Sequence, residues 1–163
     1  MNYEIREMLS VDGKAVLEIF EEGIAGGNAT FDKTAPTWES WDINHFKNSR
    51  FVAVDENNSI AGWAALKPVS NRDCFNGVAE VSIYLTYSAQ GKGLGKVMLQ
   101  KLILDSEEHG FWMLQSGIFP ENIASIKLHE KLGFRTVGYR EKIAQMNSTW
   151  RNIVLMERRS GKV

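Results

Sequence analysis

The sequence predicts a single α/β domain built on one mixed sheet, and three observations predict it. Runs that alternate in hydropathy are interleaved with runs whose apolar residues recur every three to four positions, in the order β-α-α-β-β-β-α-β-α-β-β. The run from Leu94 to about Ser106 has Leu94, Met98 and Leu102 at every fourth position, with Leu99 and Ile103 beside them, a wide apolar face suited to packing on a sheet. The chain has 163 residues, enough for one substantial core, and no repeat or Pro/Gly/Ser linker divides it, so the domain is read as 1–163.

Each element has its own signature. Tyr3 to Glu7 alternates and reads as a first strand. Asp12 can cap a helix from Gly13 to about Glu22, with Val16, Ile19 and Phe20 on one face. Residues 24–36 are small and polar and read as a loop, followed by a helix from Trp38 to about Asn48. Phe51–Asp55 and Ser59–Leu66 read as strands around the turn Glu56-Asn57-Asn58. After a loop over 68–77, Val78–Leu85 is the next strand. Gly110 suits the end of the helix begun at Leu94, and Phe111–Ile118 follows as a strand. Asn122 can cap a helix ending near Gly133; Phe134–Tyr139 and Thr149–Met156 close the domain as strands.

Composition narrows the function classes. Hydrophobic residues make up 44% and charged residues 24%, ordinary for a globular protein. A net charge of −1 gives no electrostatic footprint for nucleic acid, and Arg158, Arg159 and Lys162 read as a solvated tail. Cys74 is the only cysteine, so no intrachain disulfide is expected and a cytoplasmic location is. Met1 to Glu7 lacks the basic start and apolar core of a signal peptide, and no apolar run approaches the ~20 residues that span a bilayer. His45, His109 and His129 show no metal-ligand spacing; His129-Glu130 begins like a zinc-protease motif, but Gly133 stands where the second histidine belongs, so no metal is expected.

The most informative stretch is Gln90-Gly91-Lys92-Gly93-Leu94-Gly95, set between a strand and a helix. A glycine-rich turn feeding a helix N-terminus leaves several backbone N–H groups unpaired at the positive end of the helix dipole, a seat for phosphate or pyrophosphate. Two well-known phosphate loops do not fit. Gly95-Lys96 is followed by Val97 where a Walker loop needs Ser or Thr, and glycines at 91, 93 and 95 have the wrong spacing for a dinucleotide fingerprint.

What remains, Q-x-x-G-x-G, resembles the pyrophosphate loop of acyl-CoA-binding N-acetyltransferases of the GNAT superfamily. Asn122-Ile123-Ala124-Ser125-Ile126-Lys127-Leu128-His129-Glu130-Lys131-Leu132-Gly133-Phe134 resembles that superfamily's second signature, N-x-x-S-x-x-L-(Y/H)-x-x-x-G-F. Glu80-Val81-Ser82-Ile83-Tyr84-Leu85 resembles the E-x-S-V-Y-V strand of the phosphinothricin and methionine sulfoximine acetyltransferase branch, with further matches at Thr30-Phe31, Arg72 and Trp150. The resemblance implies a GNAT fold, a mostly antiparallel mixed sheet flanked by helices. It also implies acetyl-CoA as co-substrate, a small amino-acid-like acceptor and a homodimer. It assigns the donor to Gly91, Lys92, Gly93, Leu94, Gly95 and Lys96, to the Ile83-Tyr84-Leu85 backbone, and to Asn122, whose rival role is the helix cap. It places the acceptor near Arg72, Asp73, Cys74, Phe75 and Phe31.

The chemistry gives some of these residues roles of their own. An α-ammonium group must lose a proton before it can attack a thioester, and Glu80 is the candidate base, directly or through water. An exposed strand end or a structural ion pair is the alternative for Glu80. His129, where the superfamily more often has Tyr, is the candidate acid for the departing thiolate, with Tyr84 as fallback. Arg72 can grip a carboxylate with its planar fork, or stand solvated in its loop. Other acceptors, namely a protein N-terminus, a polyamine or an aminoglycoside, stay open, as does a non-catalytic acyl-CoA sensor.

Overall fold

The computed structural model describes residues 2–163. Its elements are β1 (Glu4–Glu7), α1 (Gly13–Ala25), α2 (Trp38–Ile43), β2 (Phe51–Val54), β3 (Ile60–Pro68), β4 (Val78–Leu85), α3 (Leu94–Glu108), β5 (Met113–Ile118), α4 (Ile123–Lys131), β6 (Arg135–Met146) and β7 (Thr149–Arg159). The order is the one read from the sequence. Seven strands form one sheet in the order β1-β2-β3-β4-β5-β7-β6. All its ladders are antiparallel except β4–β5, which is parallel and is spanned by the α3 crossover.

Two cores lie on the two faces of this sheet. Leu94, Met98, Leu99, Leu102 and Ile103 of α3 bury against Ala64, Leu66, Ala79 and Val81, with Ile83, Leu85 and Leu128 packed alongside. On the other face Val16, Ile19 and Phe20 of α1 and Trp41 of α2 bury against Val52, Trp63 and Ala65, with Tyr84 beside them. The strands therefore alternate in earnest: neighbouring residues serve opposite cores. β1 is tied to the start of α1 by the Arg6 guanidinium, which donates to both oxygens of buried Asp12 at 2.8 and 2.9 Å. Asp12 is thus occupied by Arg6 and the Leu9 amide, and does not cap α1 with its side chain as expected. The Arg6 hydrogen bond holds its carboxyl below the usual range.

Two element ends differ from expectation for identifiable reasons. α2 stops at Ile43 instead of running on to Asn48, because Arg50 reaches back and captures carbonyls that a longer helix would use. Its Nη2 donates to the carbonyls of Asp42 (2.8 Å) and His45 (2.6 Å), and its Nε donates to that of Phe46. The strands of the β6–β7 hairpin run on past their expected ends, β6 to Met146 instead of Tyr139 and β7 to Arg159 instead of Met156. Asn147 and Ser148, both with positive φ (49° and 64°), make a two-residue turn whose twist suits a hairpin.

The β4–β5 ladder pairs only Val78–Met113, Ala79–Leu114 and Glu80–Gln115. Beyond Glu80 the strands part: β5 continues against β7, while residues 81–85 of β4 remain paired only to β3. This split in the middle of the sheet positions the site.

Candidate active site

Three cross-strand pairs of β3 and β4 share the α1/α2 face: Trp63–Tyr84, Ala65–Ser82 and Lys67–Glu80. All of these but Ala65 line a cavity of about 1010 Å³, with Phe31, Asp32, Trp41, His45, Asn71, Gln115 and Arg140 among its other walls. Its wall near β5 adjoins a second cavity of about 70 Å³ that lies in the split itself. Ala29, Val81, Tyr84, Gly117 and Phe119 line both, so Tyr84 stands at the junction. Ile83, Ser116, Asn122, Ser125 and His129 also line the smaller one.

The glycine loop lies just beyond this split. Gly91 and Gly93 have φ of 71° and 82°, the left-handed region that disfavours side chains, and a Cβ at either would project into open space. Gly93 directly precedes α3, so the leading amides of that helix, Leu94 and Gly95 among them, have no carbonyl behind them. The 15-residue helix supplies the dipole. A cradle of this form fits a pyrophosphate. The free β4 edge at 81–85 fits an extended amide-bearing arm laid alongside it, with Ile83 and Leu85 in that edge as the resemblance implies.

Asn122 fills both ends of its amide. Its Oδ1 accepts from the Ser125 amide at 3.2 Å, capping α4, and its Nδ2 donates to the Asn28 carbonyl at 3.1 Å, tethering the loop after α1. The cap reading is therefore met, and the same residue lines the smaller cavity.

His129 is 1% exposed, and its Nδ1 lies 2.8 Å from the Ser125 carbonyl. A carbonyl only accepts, so Nδ1 carries the hydrogen and Nε2 of the neutral ring is a bare lone pair, buried without a partner. Burial lowers its pKa, the Ser125 bond opposing. A resting imidazolium poised to protonate a thiolate does not suit these surroundings. Burial pushes the Tyr84 phenol up, with the Thr30 hydroxyl opposing and the Asp32 and Glu80 charges adding to the rise. Tyr84 thus keeps its proton at neutral pH.

Of the expected acceptor residues, the structure brings together Glu80 and Phe31. Arg72, Asp73, Cys74 and Phe75 are exposed on a short turn between β3 and β4, with the Arg72 guanidinium 5.7 Å from the Phe75 ring centre. Asn71 is the residue of this loop that lines the large cavity. The cation on the cavity floor is Lys67, which sequence reading passed over. Its signal was a lysine two residues beyond Ala65 and four beyond Trp63 on one face of an apolar strand.

Residues 17–134 match the Acetyltransferase (GNAT) family. The acetyltransferase YwnH of Bacillus subtilis is 35% identical over 140 residues, covering 83% of this chain and 86% of its own. The L-methionine sulfoximine/L-methionine sulfone acetyltransferase of Pseudomonas aeruginosa is 26% identical over 162 residues, 96% of this chain and 94% of its own. Among solved structures, the GNAT superfamily phosphinothricin acetyltransferase from Sinorhizobium meliloti, in complex with AcCoA, superposes with a TM-score of 0.90 at 28% identity, covering 99% of this chain and 90% of that one.

Proposed function

Because the chain belongs to the GNAT acetyltransferase family, we propose that it transfers the acetyl group of acetyl-CoA to the α-amino group of a small amino acid or analogue, of the phosphinothricin and methionine sulfoximine type. The observation that carries this reading is the Lys67–Glu80 pair on the cavity floor. A carboxylate and an ammonium side by side, not bonded to each other, complement the ammonium and carboxylate of one zwitterion. The charged lining is balanced, with Asp32 and Glu80 against Lys67 and Arg140, which suits an amino acid better than a polycation.

Acetyl-CoA enters with its pyrophosphate on the amides around Gly91 to Lys96 and its arm along β4, so that the thioester reaches the split beside Tyr84. The acceptor lies in the large cavity with its amine at Glu80. Glu80 takes the first proton, the nitrogen lone pair forms the C–N bond, and as the C–S bond breaks the second proton of the nitrogen passes to the departing thiolate, leaving the amide and free CoA thiol. Tyr84, which holds its proton, is placed to donate a hydrogen bond to the thiolate. A β4 backbone amide facing the split would meet the carbonyl oxygen.

We further propose a homodimer. The β6–β7 hairpin ends the sheet and exposes Val137, Tyr139, Ile143 and Trp150, while Arg140 and Ile143 also line the large cavity, so a second copy there would close the acceptor site. The exposed free thiol of Cys74 suits a reducing compartment, and we place the enzyme in the cytoplasm. Among the described residues no helix is long and apolar enough to cross a membrane.

The test is release of free CoA thiol from acetyl-CoA on adding amino acids, polyamines, aminoglycosides and N-terminal peptides in turn. Turnover with methionine sulfoximine or phosphinothricin is expected. Turnover confined to polyamines or peptides would sink the reading, and donor binding without any turnover would favour a sensor.

A further inference from the structure

The loop between α1 and α2 reaches across the split in the sheet, and one side chain on the far side holds it there. Residues 28–36 form no backbone–backbone hydrogen bond among the described residues, so side chains fix where they lie. Arg151 of β7 takes the two acceptors at the loop's start: Nη1 donates to the Gly27 carbonyl at 3.1 Å and Nη2 to Asn28 Oδ1 at 2.9 Å. Its side chain is 14% exposed, so water and salt screen these bonds little. The guanidinium carbon stands 4.0 Å from the centre of the Phe119 ring. That ring in turn meets Phe31 of the loop in a T-shaped contact, 4.8 Å between centroids and 73° between planes. Glu121, 3.4 Å from Nη2 and 57% exposed, is a weaker partner. A planar fork can meet a ring with its face and two oxygens with its edge; a lysine ammonium cannot. The segment held in this way walls both cavities. Asn28 and Ala29 line the smaller one, and Ala29, Thr30, Phe31 and Asp32 the larger, whereas Arg151 lines neither.

We propose that Arg151 is a positioning residue for the acceptor: it straps the loop after α1 across the β4–β5 split and so places Thr30 and Phe31 in the wall of the acceptor cavity. It acts through Asn28 on one side and through Phe119 on the other. The inference rests on the acetyl-transfer reading above and adds to it a residue that touches neither donor nor acceptor. Without the strap, only the fraction of molecules with the loop in place can seat an acceptor, and apparent acceptor affinity falls by that fraction. The seat of the donor pyrophosphate, at the start of α3, has no contact with Arg151 and stays as it was.

The experiment applies two readouts to the wild type, Arg151→Met, Arg151→Lys and Asn28→Ala, each checked for fold by circular dichroism. The first needs no acceptor. It times trypsin cleavage after Lys33, exposed in the loop, against cleavage after Lys47, exposed beyond α2. Global unfolding speeds both, whereas release of the loop speeds Lys33 alone. Arg151→Met should speed Lys33 relative to Lys47 by about 10-fold or more, from the loss of two charge-assisted hydrogen bonds. The second readout is steady-state kinetics with L-methionine sulfoximine. Arg151→Met should raise the acceptor KM by about 10-fold or more and leave calorimetric affinity for acetyl-CoA unchanged. Arg151→Lys should behave like Arg151→Met. Asn28→Ala should act in the same direction less strongly, and add nothing in the double variant with Arg151→Met. Unchanged cleavage at Lys33 overturns the strap. Faster cleavage with an unchanged acceptor KM overturns the positioning role, as does an equal loss of acetyl-CoA affinity. If no amino acid is acetylated by any of the proteins, the amino-acid reading falls, and faster cleavage at Lys33 in Arg151→Met still upholds the strap.

Discussion

Lys67 sits directly across the β3–β4 ladder from Glu80, both side chains line the large cavity, and no ion pair joins them. Opposite charges at facing positions of a sheet ordinarily find each other. Here each is left to whatever enters the cavity, and the β4–β5 ladder ends at Glu80 itself.

Replacing Glu80 with Gln keeps the shape and removes the base. Turnover should fall by about 10²–10⁴-fold. Calorimetric affinity for acetyl-CoA should be unchanged, since Glu80 lies on the acceptor side. Wild-type turnover across the pH range would make Glu80 structural.

Lys67, not Arg72, should govern the acceptor carboxylate. Lys67→Met is expected to lower kcat/KM for the amino acid by about 10- to 100-fold, the worth of a charge-assisted hydrogen bond. It should act mainly through KM, and do little to an acceptor whose carboxylate is amidated. Arg72→Ala should have a small effect. The reverse ranking would put the carboxylate at the exposed turn, where the arginine fork was first expected to act.

Stability should fall as the solution is acidified from pH 7 to 5. Burial, the largest cause, lowers His45 from 6.5 to about 4, with Lys67 and Arg50 adding to the drop and the Trp41 carbonyl and Asp42 opposing it. The unfolded chain therefore binds a proton below pH 6.5 that the folded chain refuses until about pH 4. The loss from His45 reaches on the order of 3 kcal/mol at the bottom of that window. Buried His129 acts in the same direction. Thermal unfolding should show the wild type losing on the order of 5 °C more than His45→Asn between pH 7 and 5. Parallel slopes would show that His45 is not held neutral.

The glycine cradle can be tested without straining it. Asn tolerates the left-handed backbone of position 93 better than other side chains do, so Gly93→Asn should keep the fold by circular dichroism. Its side chain would occupy the open space reserved for phosphate, and acetyl-CoA affinity should fall by about 10-fold or more. Unchanged affinity in the folded variant would remove the loop from donor binding.

Much of this was legible because periodicity and turn chemistry are local. The strand at 78–85, the glycine loop and the helix after it each announce themselves within a few residues, and the order of elements follows. The short α2 was not legible, since its end is dictated by Arg50, eight residues beyond its Asp42 partner. Lys67 escaped for the same reason. Its meaning lies in ladder register, which exists only once β3 and β4 are aligned. Arg72 stood out by residue type and motif, but its turn leaves it outside the cavity.

The most direct measurement is a crystal structure of Glu80→Gln with CoA and L-methionine sulfoximine. The α-amino nitrogen should lie within about 3.2 Å of the residue-80 side chain. The carboxylate should rest on Lys67 Nζ, with the thiol end of CoA in the split beside Tyr84. An acceptor bound with its carboxylate on Arg72 and its amine away from position 80 would contradict the Lys67–Glu80 clamp.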